Sequence, residues 1–205
     1  HSLVGLGNVC LSEDVTGQQI AEASRLFRKA SFISSSVYGS NHVNTTTCDA
    51  LLGQISLRQG NLQDAYKKFQ KLRTSVMQTY GDKTTAHERI ADAYMNMGYY
   101  YMAKAKEASF LQDSVNTRDY TLRAMDEFEK ARNNIETVYG SSYAGIAKSL
   151  NAIAEAYLVL QRPDSAIVAY KKAAKLTIGQ FGGQSPLVAQ AYATLGATYK
   201  YESEQ

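Results

Sequence analysis

Apolar residues recur along this chain with the spacing of amphipathic helices, and one small–aromatic–small pattern is repeated. Ala166, Tyr170 and Ala173 are four and then three positions apart, which places them on one face of a helix. The same face occurs in three other places, at Ala23/Phe27/Ala30, Ala65/Phe69/Leu72 and Ala124/Phe128/Ala131. Four copies of one helical face predict a repeat protein.

An aromatic–glycine pair follows each copy, beginning eight residues after its last member. The pairs are Tyr38-Gly39, Tyr80-Gly81, Tyr139-Gly140 and Phe181-Gly182. The first two pairs are 42 residues apart, and so are the last two, whereas the middle interval is 59 residues. The regular repeat therefore has 42 residues, and the third copy carries 17 more.

Each repeat has room for two helices. Apolar positions continue through residues 146–160, a break follows, and a second periodic segment covers residues 164–178. Pro163 fits the first turn of this second helix, where a missing N–H costs nothing. One repeat earlier, Gly60 is expected to end a helix in the left-handed conformation and Asn61 to cap the next. The predicted helix pairs cover about residues 3–38, 44–80, 84–139 and 142–181, and a terminal helix covers about 185–201.

The order of small and aromatic residues in these pairs resembles that of tetratricopeptide repeats. The matching residues are Leu52-Gly53, Gly60, Ala65 and Phe69 in one copy, Ile153-Ala154, Tyr157, Ala166, Tyr170 and Ala173 in another, and Leu195-Gly196 with Tyr199 in the terminal helix. The longer unit and the run from Ser149 to Ala154 are similar to kinesin light chain repeats. The resemblance implies an all-α fold: a right-handed superhelical solenoid of antiparallel helix pairs, formed by residues 1–205 as a single domain.

The enlarged third repeat is predicted to begin with a capping box at Thr85 and Glu88. If Gly98 is aligned with the turn glycine of the other repeats, 21 residues are inserted, at about positions 99–119. Residues 99–111 are good helix formers without a stop signal, so we expect a protruding helical hairpin that turns near residues 113–117. The hairpin would offer Tyr101, Phe110 and Leu111 to a partner or to a second copy of the chain.

Composition excludes several classes of protein. The net charge is +3 and no basic stripe is present, so we expect no nucleic acid as a partner. No apolar run approaches the roughly 18 residues of a membrane span. Two distant cysteines, Cys10 and Cys48, are expected to be reduced core residues, which together with the lack of a signal sequence predicts a cytoplasmic protein. The chain begins at His1 and stops within a repeat, so we expect it to be a fragment.

The chain contains no recognisable catalytic constellation. Its three histidines, His1, His42 and His87, do not share metal-ligand spacing with one another or with a cysteine. We therefore expect no metal, no cofactor and no enzymatic activity.

The resemblance implies that the first helix of each pair lines a concave groove. The residue after the Leu-Gly position should project into it, and we assign that position to Gln54, Asp92 and Glu155. Acidic residues there would repel a terminal carboxylate, which disfavours the chaperone-binding type of tetratricopeptide groove. The candidate groove residues are Gln54, Arg58, Glu88, Arg89, Asp92, Asn96, Lys148, Asn151, Glu155 and Lys200.

The sequence thus predicts a non-catalytic adaptor or scaffold that binds a peptide or a partner helix in its groove. Two alternatives remain open. One is an architectural subunit that assembles through the hairpin and the exposed terminal helix, and the other is a regulatory peptide-sensor domain of a larger protein.

Overall fold

The computed structural model of the chain describes residues 17–81 and 86–203. Within these residues there are eight α-helices and no strand. The helices are α1 (Gly17–Tyr38), α2 (Val43–Arg58), α3 (Leu62–Val76), α4 (Glu88–Phe110), α5 (Ser114–Tyr139), α6 (Ile146–Val159), α7 (Pro163–Phe181) and α8 (Pro186–Ser203). The predicted helix that precedes Gly17 lies outside the described residues.

The chain divides into two compact units. The first, His1–Lys83, contains α1 to α3, and the second, Thr84–Gln205, contains α4 to α8. Within each unit every helix packs against the next one along the chain. The predicted all-α class is confirmed, whereas the right-handed superhelix and the single domain over residues 1–205 stay predictions.

Helix ends follow the local sequence, with two differences from our expectation. Gly60 has a φ of 77°, and the Asn61 side chain accepts a hydrogen bond from the Asp64 amide, both as predicted. The Tyr-Gly pairs that follow α1 and α5 have a glycine with positive φ. The pair at Tyr80 differs, because it belongs to a π-helical turn, Met77–Gly81, that continues α3.

Helix α4 begins later than the capping box predicts. Its first residue is Glu88, and its cap is His87, whose Nδ1 accepts from the Arg89 amide at 3.1 Å. The cap amide itself donates to Asn134 Oδ1 at 3.0 Å, a contact with α5 that a reading of local sequence cannot anticipate. Thr85 lies outside the described residues.

The helix pairs α2–α3, α4–α5 and α6–α7 each bring a small residue together with an aromatic ring. Gly98 on α4 lies against Phe128 on α5, and a Cβ added to Gly98 would be 2.2 Å from a ring carbon. Gly53 and Phe69 repeat the contact in the first unit, where the added Cβ would be 2.8 Å away. In the regular pair α6–α7, Ala154 and Tyr170 share one buried cluster. These contacts define which positions of the repeats correspond.

The correspondence corrects the size of the insertion. Gly53 and Phe69 are 16 positions apart, whereas Gly98 and Phe128 are 30 apart, so 14 residues are inserted in this pair instead of 21. Gly98 lies inside α4, and the turn residue with positive φ is Gln112, 14 positions later. Because Gly53 and Gly60 are seven positions apart, each helix has gained seven residues. The other three additional residues lie between Tyr80 and Gly98.

The turn of the enlarged pair also differs from our prediction of residues 113–117. Helix α4 ends at Phe110 and α5 already begins at Ser114. The Asp113 carboxylate accepts a hydrogen bond from the Asn116 amide at 3.0 Å, and this cap starts the helix at once. The pair α4–α5 thus consists of 23-residue and 26-residue helices joined by three residues, the two longest helices within the described part of the chain.

Candidate functional site

Three of the predicted groove residues line one cavity. Lys148, Asn151 and Glu155 are three and four positions apart on α6 and therefore share a face. They border a cavity of about 360 Å³ that α7 and α8 complete with Tyr170, Thr177, Gln190 and Thr194, among others. We refer to it as the α6 cavity. It has polar side chains on all three walls, so it suits a ligand with hydrogen-bonding groups.

Helix α4 adds a second acidic group beside the cavity. The charge of Lys148 acts on the Asp92 carboxylate, and the Lys148 ammonium lies 6.0 Å from the centre of the Tyr99 ring. Desolvation raises the pKa of Asp92, the Glu88 charge raises it further, and Lys148 and Arg89 oppose the shift. Asp92 keeps contact with solvent, although the protein around it desolvates its carboxyl in part.

The Glu155 charge acts on two tyrosines, Tyr99 and Tyr170. Desolvation raises the pKa of its carboxyl. The pKa of Tyr99 and that of Tyr170 rise to about 12, first because both rings are desolvated and then because the Glu155 charge disfavours a phenolate. The Lys148 charge favours the ionised form of Asp92 without an ion pair between them, whereas Glu155 has no hydrogen bond or ion pair with any residue in the described ranges.

The corrected alignment changes which residue follows the Leu-Gly position on α4. Because Gly98 corresponds to Gly53 and Ala154, that residue is Tyr99, and our assignment of Asp92 was wrong by seven positions. Seven residues are nearly two helical turns, so Asp92 is still on the same face. Asp92 and Tyr99 on α4 correspond to Lys148 and Glu155 on α6, which agrees with the electrostatic pairing of each couple.

The other predicted groove residues on α4 have different environments. Glu88 is exposed and accepts a hydrogen bond from the Tyr139 hydroxyl at 2.8 Å, and Arg89 is half-buried. Asn96 is only 6% exposed, and its amide donates to the Asp92 backbone carbonyl at 2.9 Å. The assignment of Asn96 to the groove is therefore wrong, because its side chain faces the interior and its donor is engaged with its own helix.

Three predicted groove residues are not among those that line the α6 cavity. Gln54 is half-buried and Arg58 exposed on α2, in the first unit. Lys200 is exposed near the end of α8 and is not among the residues around the cavity. For these three, membership of a partner-binding groove stays a prediction.

The three residues that we assigned to the hairpin do not share one environment. Phe110 is 88% exposed and Leu111 is 70% exposed, at the end of α4. Tyr101 is half-buried and packs in part against the cluster around Phe128, since it is only three residues beyond Gly98. The assignment of all three residues to a contact surface stays a prediction.

A second cavity, of about 680 Å³, lies beside the turn of the α4–α5 pair. Val115 and Leu122 on α5 face Val159 and Leu160 at the end of α6 across it. We call it the tip cleft. Val115 is 77% exposed, and Phe110 and Leu111, at the turn of the same helix pair, are exposed as well. The cleft exists because α4 and α5 continue for two turns beyond the level at which α6 and α7 turn.

The described ranges contain neither a metal-binding group of side chains nor a membrane-spanning helix. Residues 17–81 and 86–203 contain no group of three or more His, Cys, Asp or Glu side chains arranged to hold a metal ion. No helix in the same ranges is long and apolar enough to cross a membrane. Cys48 is buried and is a free thiol.

Sequence reasoning missed the residues that other helices contribute to the α6 cavity. Tyr170 was predicted only as a core residue, and Gln190 and Thr194 on α8 were not singled out. Tyr99 was the one residue with a usable signal, because it directly follows a glycine at the Leu-Gly position. The wrong alignment of Gly98 concealed that signal.

Similar folds occur among solved structures. One is BtubC (BKLC) from P. vanneervenii, with a TM-score of 0.67 and 18% sequence identity over 98% of this chain and 72% of that one. Another is a putative kinesin light chain from Podosopora anserina with nearly identical TPR-like repeats, with a TM-score of 0.66 and 14% identity over 99% of this chain and 86% of that one. Neither the protein-family models nor the curated proteins give a match. The predicted tetratricopeptide resemblance of the kinesin light chain type is thereby confirmed for the fold.

Proposed function

We propose that this chain is a non-catalytic protein-interaction module that binds an extended peptide of a partner protein along the face of α4 and α6. The observation that carries the proposal is the α6 cavity, where Lys148, Asn151 and Glu155 stand together on one helix face. The TPR-like neighbours support a role as an interaction scaffold in general.

The chemistry of this face suits a peptide backbone. The Asn151 side chain is half-buried at the cavity and has no hydrogen bond with any described residue. An amide offers both a donor and an acceptor, which matches the N–H and C=O groups of an extended chain. An unpaired amide at a cavity wall gains more from a ligand than one on an open surface, because it is already partly desolvated.

We expect Asn151→Ala to weaken binding of such a peptide about fivefold, the loss of one or two hydrogen bonds of roughly 1 kcal/mol in total. The ligand would be selected from a random peptide library displayed on phage, and its affinity measured by calorimetry. Asn133→Ala is the matched control, because Asn133 is exposed on α5 and does not line the cavity. Equal affinities of the two variants, with unchanged melting temperatures, would move the site away from the α6 cavity.

A second candidate function is assembly through the α4–α5 pair. The exposed Phe110, Leu111 and Val115 place three large apolar side chains at one end of this pair, beside the tip cleft. Large apolar side chains left exposed at one end of a helix pair are typical of surfaces that a contact between proteins buries. A second copy of the chain would bury these side chains by pairing the same surface about a two-fold axis.

This candidate predicts that shortening the pair abolishes self-association. Deleting residues 105–111 and 114–120 removes 14 residues, among them Phe110, Leu111 and Val115, and restores the 16-position spacing between Gly98 and Phe128, with Asp113 kept as the cap. In analytical ultracentrifugation we expect the parent chain to form dimers and the shortened variant to be monomeric at equal helicity. A monomeric parent at all concentrations would eliminate this candidate and leave the groove as the binding surface.

A further inference from the structure

Glu155 is the charged group of the α6 cavity on which no cation of the described ranges acts. It forms no ion pair and no hydrogen bond with a described residue, whereas the charge of Lys148, the other charged group of the cavity, acts on Asp92 of α4. Its side chain is exposed to solvent, but the surrounding protein desolvates the carboxyl in part, and a carboxylate that loses hydration without gaining a partner is held at a cost in free energy. Such a group gains more than an open-surface carboxylate would when a cation reaches it.

We propose that the α6 cavity receives the cationic side chain of an arginine or lysine of the partner peptide, with Glu155 as its counter-ion. This proposal rests on the proposed function and adds the chemical class of the side chain that the peptide must present.

The walls around Glu155 suit a guanidinium group. Tyr170 lines the same cavity, and aromatic rings attract cations that lie near them. The Asn151 side-chain carbonyl and the Thr194 hydroxyl border the cavity as hydrogen-bond acceptors. Arginine has five N–H donors, so one carboxylate and two neutral acceptors can be bound at once.

An anionic side chain fits the same cavity less well, although Lys148 also lines it. Asp92 already interacts with the Lys148 charge, although the two groups form no ion pair within the described ranges, and this reduces the attraction of Lys148 for an incoming carboxylate. Such a ligand would also bring a second negative charge next to Glu155, which raises the energy of both. The local balance of charge therefore selects a cation over an anion.

The size of the cavity points to a single side chain. Its volume of about 360 Å³ is near the lower end of the roughly 300–1,000 Å³ of small-molecule pockets. One extended side chain fills much of such a space, whereas a bound helix needs a longer groove. The remaining residues of the peptide would lie along the faces of α4 and α6.

The probe for this subsite is N-acetyl-arginine methylamide, titrated into the full chain with ¹³C-labelled alanine methyl groups. Ala147, Ala173 and Ala191 line the cavity and report on occupancy by NMR. We expect their resonances to shift with this probe and to stay in place with the neutral isostere N-acetyl-citrulline methylamide. In Glu155→Gln the affinity should fall about tenfold, the loss of one charge-assisted contact.

The matched control is Glu136→Gln, which removes the same charge from α5 away from the cavity and should leave the affinity unchanged. Equal shifts with the arginine and citrulline probes, no shift at all, or equal affinities of the parent and Glu155→Gln would overturn the subsite. Its failure is separable from failure of the proposed function. If the selected peptides need Asn151 but contain no arginine or lysine, the peptide groove is supported and the cation subsite is not. If the arginine probe binds but no peptide is selected, the cation subsite is supported and the peptide groove is not.

Discussion

Replacing Phe128 by alanine is expected to lower the free energy of unfolding by about 3–5 kcal/mol. The ring is fully buried, in a cluster that includes Met95 of α4 and Ile153 of α6. It also meets the edge of Tyr99, with the ring centres 5.4 Å apart. Because side chains from three helices surround the ring, no single helix can move to fill the space that it leaves.

Chemical denaturation followed by circular dichroism measures this loss. The matched control is Phe110→Ala, the same substitution at a side chain that is 88% exposed, for which we expect a change within about 0.5 kcal/mol. If both variants unfolded at the denaturant concentration of the parent, Phe128 would not be the centre of the α4–α5–α6 packing.

The second large effect is expected from Gly98→Ala, which should lower the free energy of unfolding by about 1–3 kcal/mol. Inside a helix this substitution normally stabilises by about 1 kcal/mol. Here the new methyl group would be 2.2 Å from one ring carbon of Phe128 and 2.5 Å from another. The ring cannot withdraw easily, because Ala124 and Ala131 are fully buried in the same cluster.

Gly196→Ala is the control for the helix propensity of alanine. Gly196 occupies the Leu-Gly position of α8, and a Cβ added there would have no neighbour within 4 Å. We expect this variant to be as stable as the parent or up to about 1 kcal/mol more stable. A stabilising Gly98→Ala would show that the two helices of this pair are farther apart than the contact with Phe128 implies.

In a double-mutant cycle, Phe128→Leu should lower the free energy of unfolding less in the Gly98→Ala background than in the parent chain.

The helical repeat was predictable because its signal is spread over many residues. Ala124, Phe128 and Ala131 are all fully buried, as the periodicity predicts. The alignment of the enlarged repeat failed at a single residue, since glycine commonly ends a helix. In this pair the turn residue with positive φ is Gln112, and in the next pair it is Gln161. Neither glutamine identifies a turn by its residue type, so only the contact between Gly98 and Phe128 reveals the true alignment.

The site was predictable only along one helix. Lys148, Asn151 and Glu155 share a face of α6 by their spacing, and the structure places all three at one cavity. What surrounds them depends on which residues of α4, α7 and α8 lie opposite, and helical periodicity within one segment does not contain that information. The same limit explains why Asn96 was taken for a surface residue, since its side chain is buried within the second unit.

The seven-residue enlargement of α4 and α5 implies a rule for the length of this pair. Seven residues turn a helix through about 700°, only 20° short of two full rotations, so the packed faces of both helices stay aligned. Adding or removing seven residues in both helices should therefore preserve the Gly98–Phe128 contact and move the turn by about 10 Å. A change of five residues would leave each face about 140° out of phase and break the pairing. The pair is thus a spacer whose length is set in discrete steps, and its apolar end can be carried to a new distance while the base of the repeat is kept.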